Sequence, residues 1–194
     1  MPWEKQFDVE EALTHAMEAF WARGYEATSV HDLVACMGIN RGSLYATFGD
    51  KRSLFIQALR RYDAVHCQAW VAALEAAPSA KRAILDAFEA VIASVLKDGA
   101  RDGCLLVNTA LELSPHDPEI SEIVRTGLAE MEGFFRRRVE NGQAAGEIPA
   151  GLDAVETARA LLGLFIGLRV LSRSRPEKAL LRSIARQAEA LLTE

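Results

Sequence analysis

The stretch GINRGSLYATFGDKRSLF, Gly38 to Phe55, leaves the chain few ways to fold. Asn40 is a preferred helix cap, and Leu44 and Phe48, four residues apart, give the helix it opens a single buried side. Arg41, Ser43, Tyr45 and Thr47 fall on the other side, so a helix through about Thr47 carries an exposed, hydroxyl-rich face. Gly49 and Asp50 then break the chain and start a second helix whose first turn holds Lys51 and Arg52. A short helix before Gly38 completes the order of parts in a helix-turn-helix, whose second helix lies in the DNA major groove.

Apolar periodicity extends the helical reading over the whole chain. Asp8 and Glu11 predict the start of a first helix, with Val9, Leu13, Ala16, Met17 and Phe20 on one face and Gly24 as its stop. Ser29 caps a second helix that places Val30, Leu33, Val34 and Met37 inward and ends at Gly38. Asp50 opens a long fourth helix to about Ala76. Helical pattern resumes from Ala83 to about Lys97, and a glycine-rich loop over 98–103 leads into the apolar segment CLLVNTALEL, closed by Pro115 and Pro118. Helices of about 119–144, 153–172 and 176–192 complete the count, the last with Pro176 in its first turn. The expected fold is all-α. It has an N-terminal three-helix head over 1–50 and a C-terminal helical ligand-binding and dimerisation domain over 51–194. The two share the fourth helix rather than a flexible linker.

Charge qualifies this picture. The 194 residues carry a net charge of −5, which argues against a protein that coats nucleic acid without regard to sequence. Even the first 52 residues hold five basic against eight acidic side chains. The balance turns positive only locally, where Arg41, Lys51 and Arg52 outweigh Asp50, and phosphate contact requires such a patch rather than a basic domain. Cys36, Cys67 and Cys104 are widely spaced without a CxxC pair, so neither a disulfide framework nor a zinc site is expected. The first residues, MPWEKQFDVEEAL, lack the basic start and apolar run of a signal peptide, and the longest apolar run, 160–171, is interrupted by Arg169 and too short to span a bilayer. A cytoplasmic protein with no membrane partner, metal or cofactor is expected. The four histidines, His15, His31, His66 and His116, show no metal-ligand or nucleophile spacing, so an enzyme is not expected.

The residues GY at 24–25, TSVHDLV at 28–34, GINRGSLYATF at 38–48 and DKRSLF at 50–55 resemble the TetR/AcrR family of bacterial transcriptional regulators. That resemblance implies DNA contact by Thr28, Ser29, His31, Asn40, Arg41, Gly42, Ser43, Tyr45, Ala46, Thr47 and Lys51. Arg41 has the fork to read a guanine, and Lys51 at a helix start suits a phosphate. Capping accounts equally for Ser29 and Asn40, and a solvated surface position accounts for His31. The resemblance further implies a homodimer on a palindromic double-stranded operator, a small-molecule effector, and repression relieved by that effector. Leu161, Leu162, Phe165 and Leu168, with Leu181, Ile184, Ala188 and Leu191, form two stripes suited to dimerisation or to internal core. Gly163 and Gly167 leave a track for close helix approach.

Phe88, Ile92, Cys104, Asn108, Phe134 and Phe165 are candidate effector contacts, with core packing as the alternative for the apolar ones. Cys104, after the Arg101–Gly103 loop and at a helix start, is either inert core or a thiol that senses oxidants or electrophiles. A helical protein-interaction module without DNA binding would explain the stripes but not the hydroxyl-rich face and Lys51.

Overall fold

A computed structural model describes residues 7–98 and 102–193, and every regular element among them is helical. Helix α1, Val9–Arg23, starts where the Asp8 carboxylate accepts the backbone N–H groups of Glu10 and Glu11, and stops at Gly24 with φ +88°. Helix α2, Val30–Met37, opens on a reciprocal capping box between Ser29 and Asp32. It closes at Gly38 in the left-handed region, φ +65°, where a side chain would be strained. Helices α3, Arg41–Phe48, and α4, Lys51–Tyr62, are capped by Asn40 and Asp50 as their sequences imply.

The long fourth helix departs from the expected pattern. After Tyr62 it passes through a π-helical stretch, Asp63–Gln68, and only then continues as α5, Ala69–Glu75. The two ends of this rod face different cores. Leu54, Phe55, Ala58, Leu59 and Tyr62 pack into the head, whereas Trp70, Val71 and Leu74 pack into the body. A wider turn re-aims the side chains of one continuous helix, and a reading based on a 3.6-residue period does not detect it.

The body comprises α6, Ala80–Asp98; α7, Leu105–Glu112; α8, Pro118–Ala144; α9, Ala154–Ser174; and α10, Lys178–Ala190. Pro118 occupies the first turn of α8, where its missing N–H leaves nothing unsatisfied. Pro176 does not have that role, because α10 starts at Lys178 with Glu177 in the cap position, and the proline precedes it.

Two apolar cores result. The first joins α1–α4 to Leu105 and Leu106 of α7 and to Ile120 and Val124 of α8. Phe20 and Phe55 meet edge to face at 4.9 Å in it, each ring stabilising the fold by about 1.5–3 kcal/mol through burial. The second core lies among α6, α8, α9 and α10 around Phe88, Phe134, Phe135 and Phe165.

The stripes read as a dimer seam belong largely to this second core. Leu161, Leu168, Leu181 and Ala188 are fully buried within the one chain, and Phe165 nearly so. Leu162, Ile184 and Leu191 are partly buried against the same core. Each helix turns its strongest apolar stripe inward, so a partner must meet what remains. Gly163 and Gly167 remain open, with nothing within 4 Å of where a Cβ would stand.

Elsewhere glycine permits close packing. A Cβ on Gly142 would stand 2.6 Å from Ile148 Cδ1 and 2.8 Å from its Cγ1, and Ile148 is itself buried. Gly142→Ala is expected to lower stability by about 1–3 kcal/mol, measured by urea unfolding, because the clash lies inside packed core. An unchanged midpoint would show that this corner yields freely.

Candidate DNA-reading face and effector cavity

Helix α3 is fixed from below by Leu44 and Phe48, both buried, which leaves Arg41, Gly42, Tyr45 and Ala46 exposed and Ser43 and Thr47 half-buried. The Asn40 side-chain oxygen accepts the Ser43 N–H at 2.8 Å, so Asn40 is the cap. A Cβ on Gly42 would come within 3.2 Å of that oxygen, which ties the small residue there to the cap's geometry. Arg41 reaches back along the helix, its Nη2 3.3 Å from the Tyr45 hydroxyl and its guanidinium 5.6 Å from the ring centre.

Electrostatics single out the same helix. Among the described head helices, α1 and α4 are capped by aspartates and α2 carries Asp32 in its first turn. Helix α3 alone has a neutral cap and no acidic residue in its first turn. Its N-terminal partial positive charge is therefore uncompensated and remains available to an anion outside the molecule.

Several expected contacts change character. Thr28 is fully buried and its hydroxyl donates to the Gly24 carbonyl at 2.7 Å, so it presents nothing to a phosphate. Ser29 is exposed, but its hydroxyl donates to the Asp32 carboxylate at 2.6 Å and accepts the Asp32 N–H at 3.1 Å. That carboxylate, 3.4 Å from Arg23, would repel a phosphate at the start of α2. His31 is exposed on the following turn.

Arg52, counted with the basic patch, is held by Asp117 at 2.6 and 2.9 Å and by Glu119 at 3.0 Å. Arg60 and Arg61 also meet carboxylates, which leaves Arg41 and Lys51 as the cations free of carboxylates among the described head residues. The Lys51 ammonium rests over the Tyr25 ring at 4.2 Å. Tyr25 in turn packs between Phe20 and Phe55, where burial is the first cause of its raised hydroxyl pKa. Tyr25 thus aims Lys51, a role that its place beside Gly24 in the sequence does not reveal.

Helix α7 holds the head at both ends. At its C-terminal end the Glu112 carboxylate accepts the backbone N–H groups of Tyr25 at 3.2 Å and Glu26 at 2.8 Å, in the loop between α1 and α2. Before its N-terminus the Gly103 carbonyl accepts the Trp21 indole N–H at 3.3 Å and a guanidinium N–H of Arg169.

Behind that second contact lies a cavity of about 230 Å³. Its walls are mainly aromatic and sulfur-bearing: Trp21, Tyr62, His66, Trp70 and Phe165, with Cys67, Cys104 and Met131. Arg169 and Ser94 supply polar groups.

Of the six expected effector contacts, Cys104 and Phe165 line this space. Phe88, Ile92 and Phe134 are buried in the second core, and Asn108 donates to the Asp102 carbonyl at 3.0 Å. Thr109, the other polar residue of that segment, satisfies itself on the Leu105 carbonyl. Arg101, which opens the loop before Cys104, lies outside the described residues. The sequence did hold one signal for the missed wall: Arg169 interrupts an otherwise apolar run, and a cation drawn partly out of water requires partners.

Cys104 occupies the N-cap of α7. A hydrogen bond with the Cys67 thiol, aided by the Arg169 charge, outweighs burial and holds the Cys104 thiol well below the ordinary range. The same bond, together with burial, pushes Cys67 upward. No cluster of three or more metal-ligating side chains occurs among the described residues.

A short helix carrying an exposed arginine and tyrosine, set on a capped helix-turn and coupled to a separate cavity, defines a DNA-binding regulator rather than a simple helical bundle. Residues 12–58 match the model of the bacterial regulatory proteins of the tetR family, and residues 80–188 match a tetracyclin repressor-like C-terminal domain. The chain belongs to the TetR family and is a transcriptional regulator.

It is 37% identical over 145 residues to the HTH-type regulator YezE of Bacillus subtilis, covering 74% of each chain. To the HTH-type transcriptional repressor ComR of Escherichia coli it is 32% identical over 170 residues, covering 87% of this chain and 81% of the other. Its fold superposes with a TM-score of 0.84 on a cysteine mutant of the TetR family regulator CifR complexed with 26-base-pair operator DNA. That pair is 32% identical, and the match covers 96% of this chain and 97% of the other.

The link between Arg52 and Asp117 has a pH signature. Hydrogen bonding to Arg52 lowers Asp117 to about 2, below its unfolded value near 4, so the stabilisation is complete above about pH 4 and is lost as pH falls through 2. Carbon-detected NMR of Asp117 should show a carboxylate still ionised at about pH 3, and Arg52→Ala should raise its titration, short of the ordinary value because the Glu119 and Ile120 N–H groups still donate to it. Titration at the ordinary value in the parent would remove the clamp.

Proposed function

We propose that the protein is a ligand-responsive repressor that binds a palindromic DNA operator as a homodimer and leaves it when a small molecule fills the cavity beside Trp21. The observation that carries this reading is α3: an exposed face of Arg41, Tyr45, Gly42 and Ala46 behind a helix N-terminus that no carboxylate neutralises. One such module reads too few base pairs for specificity, which two-fold pairing supplies. The resemblance to the repressor ComR and to operator-bound CifR supports repression and operator binding.

Arg41 reads a base edge, and Lys51, Ser43, Tyr45 and Thr47 hold phosphates. Asn40 caps α3, and His31 lies on the exposed side of α2. The head of residues 1–50, together with Lys51 just beyond it, supplies this contact, while the rest of 51–194 holds the cavity and the dimer face, the open track at Gly163 and Gly167 being the place of closest approach. The protein acts in the cytoplasm without a cofactor, and its role requires no catalysis. No helix among the described residues is long and apolar enough to cross a membrane.

Selection of binding sites from random-sequence DNA, followed by affinity measurements at several salt concentrations, tests this function. A recovered palindrome with a steep salt dependence is expected, and recovery of no sequence would overturn it. Asn40→Asp keeps a cap oxygen but places a negative charge at the reading end of α3. Its melting temperature should barely change, while affinity for the selected DNA falls about tenfold at low salt. Arg41→Ala should cost about 1–3 kcal/mol and relax one base preference, and Lys51→Ala should weaken all sequences alike and lower the salt slope by about one. Gly167→Arg should yield monomers in sedimentation, since the charge would be buried unpaired at the seam. An intact dimer would move the interface elsewhere.

A further inference from the structure

The cavity contains an arrangement that binding of an inert ligand does not require. Cys67 and Cys104 are both free, both half-buried, and both in its wall, close enough that each thiol shifts the titration of the other. They come from separate elements. Cys67 lies in the π-helical stretch of the rod leaving the head, and Cys104 caps α7. Tyr62 and Arg169 line the same wall.

We infer that Cys104 and Cys67 form a two-thiol site that is oxidised by organic hydroperoxides to an intramolecular disulfide. This rests on the cavity being the effector site. A sensor thiol poised beside a resolving thiol is suited to peroxide chemistry, whereas alkylation by an electrophile would use one thiol and leave the second without a part. The apolar, ring-lined walls favour a hydroperoxide bearing an alkyl or aryl group over hydrogen peroxide.

The Cys104 thiolate attacks the terminal oxygen of the hydroperoxide. An S–O bond forms, the O–O bond breaks, and the alkoxide takes a proton from solvent and leaves as the alcohol. The Cys67 sulfur then attacks the Cys104 sulfenic sulfur and displaces hydroxide, which combines with the Cys67 proton and leaves as water. The two sulfurs together lose two electrons, and the peroxide is reduced to alcohol and water.

The reaction reaches the head through the neighbouring residue. A disulfide requires the sulfurs to close to about 2 Å, which draws Cys104 toward the rod. Gly103, directly before it, holds the Trp21 indole of α1, so the approach pulls on the reading head at the point where α7 grips it.

The test uses the full chain carrying Cys36→Ser and the DNA recovered by selection. Cumene hydroperoxide near stoichiometry should remove two thiols, produce a Cys67–Cys104 cross-linked peptide in the mass spectrum, and weaken DNA binding about tenfold or more, all reversed by dithiothreitol. Adding Cys67→Ser should stop the reaction at a sulfenic acid captured by dimedone, and adding Cys104→Ser should abolish it.

Thiols that persist, a cross-link only between chains, or a sulfenic acid that never closes would overturn the inference. A disulfide that leaves DNA affinity unchanged would overturn its part in switching, and equal rates with hydrogen peroxide would overturn the choice of organic hydroperoxides. DNA binding by the variant with all three cysteines changed to serine separates the two readings. If that variant still binds, the reading head stands whatever the thiols do.

Discussion

A single helical rod has to serve two cores, and the rest of the structure follows from how it does so. From Lys51 to Tyr62 the rod is the floor of the reading head, with Phe55 and Leu59 buried beneath Phe20. A few residues later it must present Trp70 and Leu74 to the aromatic core of the body. A regular α-helix would carry one face straight through. The π-helical stretch between them changes the aim of the side chains without breaking the rod, and it turns His66 and Cys67 toward the cavity. Head and body are consequently coupled by a stiff connection.

The same logic explains which charges are available. Most head arginines meet carboxylates that hold the fold together, and Arg52 in particular ties the start of α4 to the start of α8 through Asp117. Cations that clamp elements cannot also follow a phosphate backbone. Among the described head residues, Arg41 and Lys51 stay clear of carboxylates, one turned on Tyr45 and the other steadied by Tyr25. An acidic protein can thus present a small positive face, because its negative charge is used at helix starts and clamps elsewhere.

Local rules made the head legible in the sequence. Asp8, Ser29, Asn40 and Asp50 each cap the helix their spacing implied, and Gly24 and Gly38 end theirs. Those signals act over three or four residues and need no knowledge of tertiary contacts. Thr28 shows the limit of such reasoning, since a hydroxyl beside a cap looks available until the fold buries it against Gly24. The cavity was largely hidden for the same reason. Trp21, Cys67, Cys104 and Arg169 are far apart in the chain and come together only through packing, while Phe88 and Phe134, equally plausible by composition, fill the core. The glycine track was visible, but the leucine stripes beside it could not be assigned to inside or outside without the bundle.

Helix α7 is eight residues long, about 12 Å from end to end, and contacts the head both before its start and at its last residue. The cavity wall draws only Trp21 from the three head helices, and all its other members come from α4 onward. The proposed DNA-reading face and the proposed effector cavity therefore share almost no side chains. Substitutions can accumulate in one without altering the other, so a descendant of this chain can acquire a new stimulus while still governing the same genes.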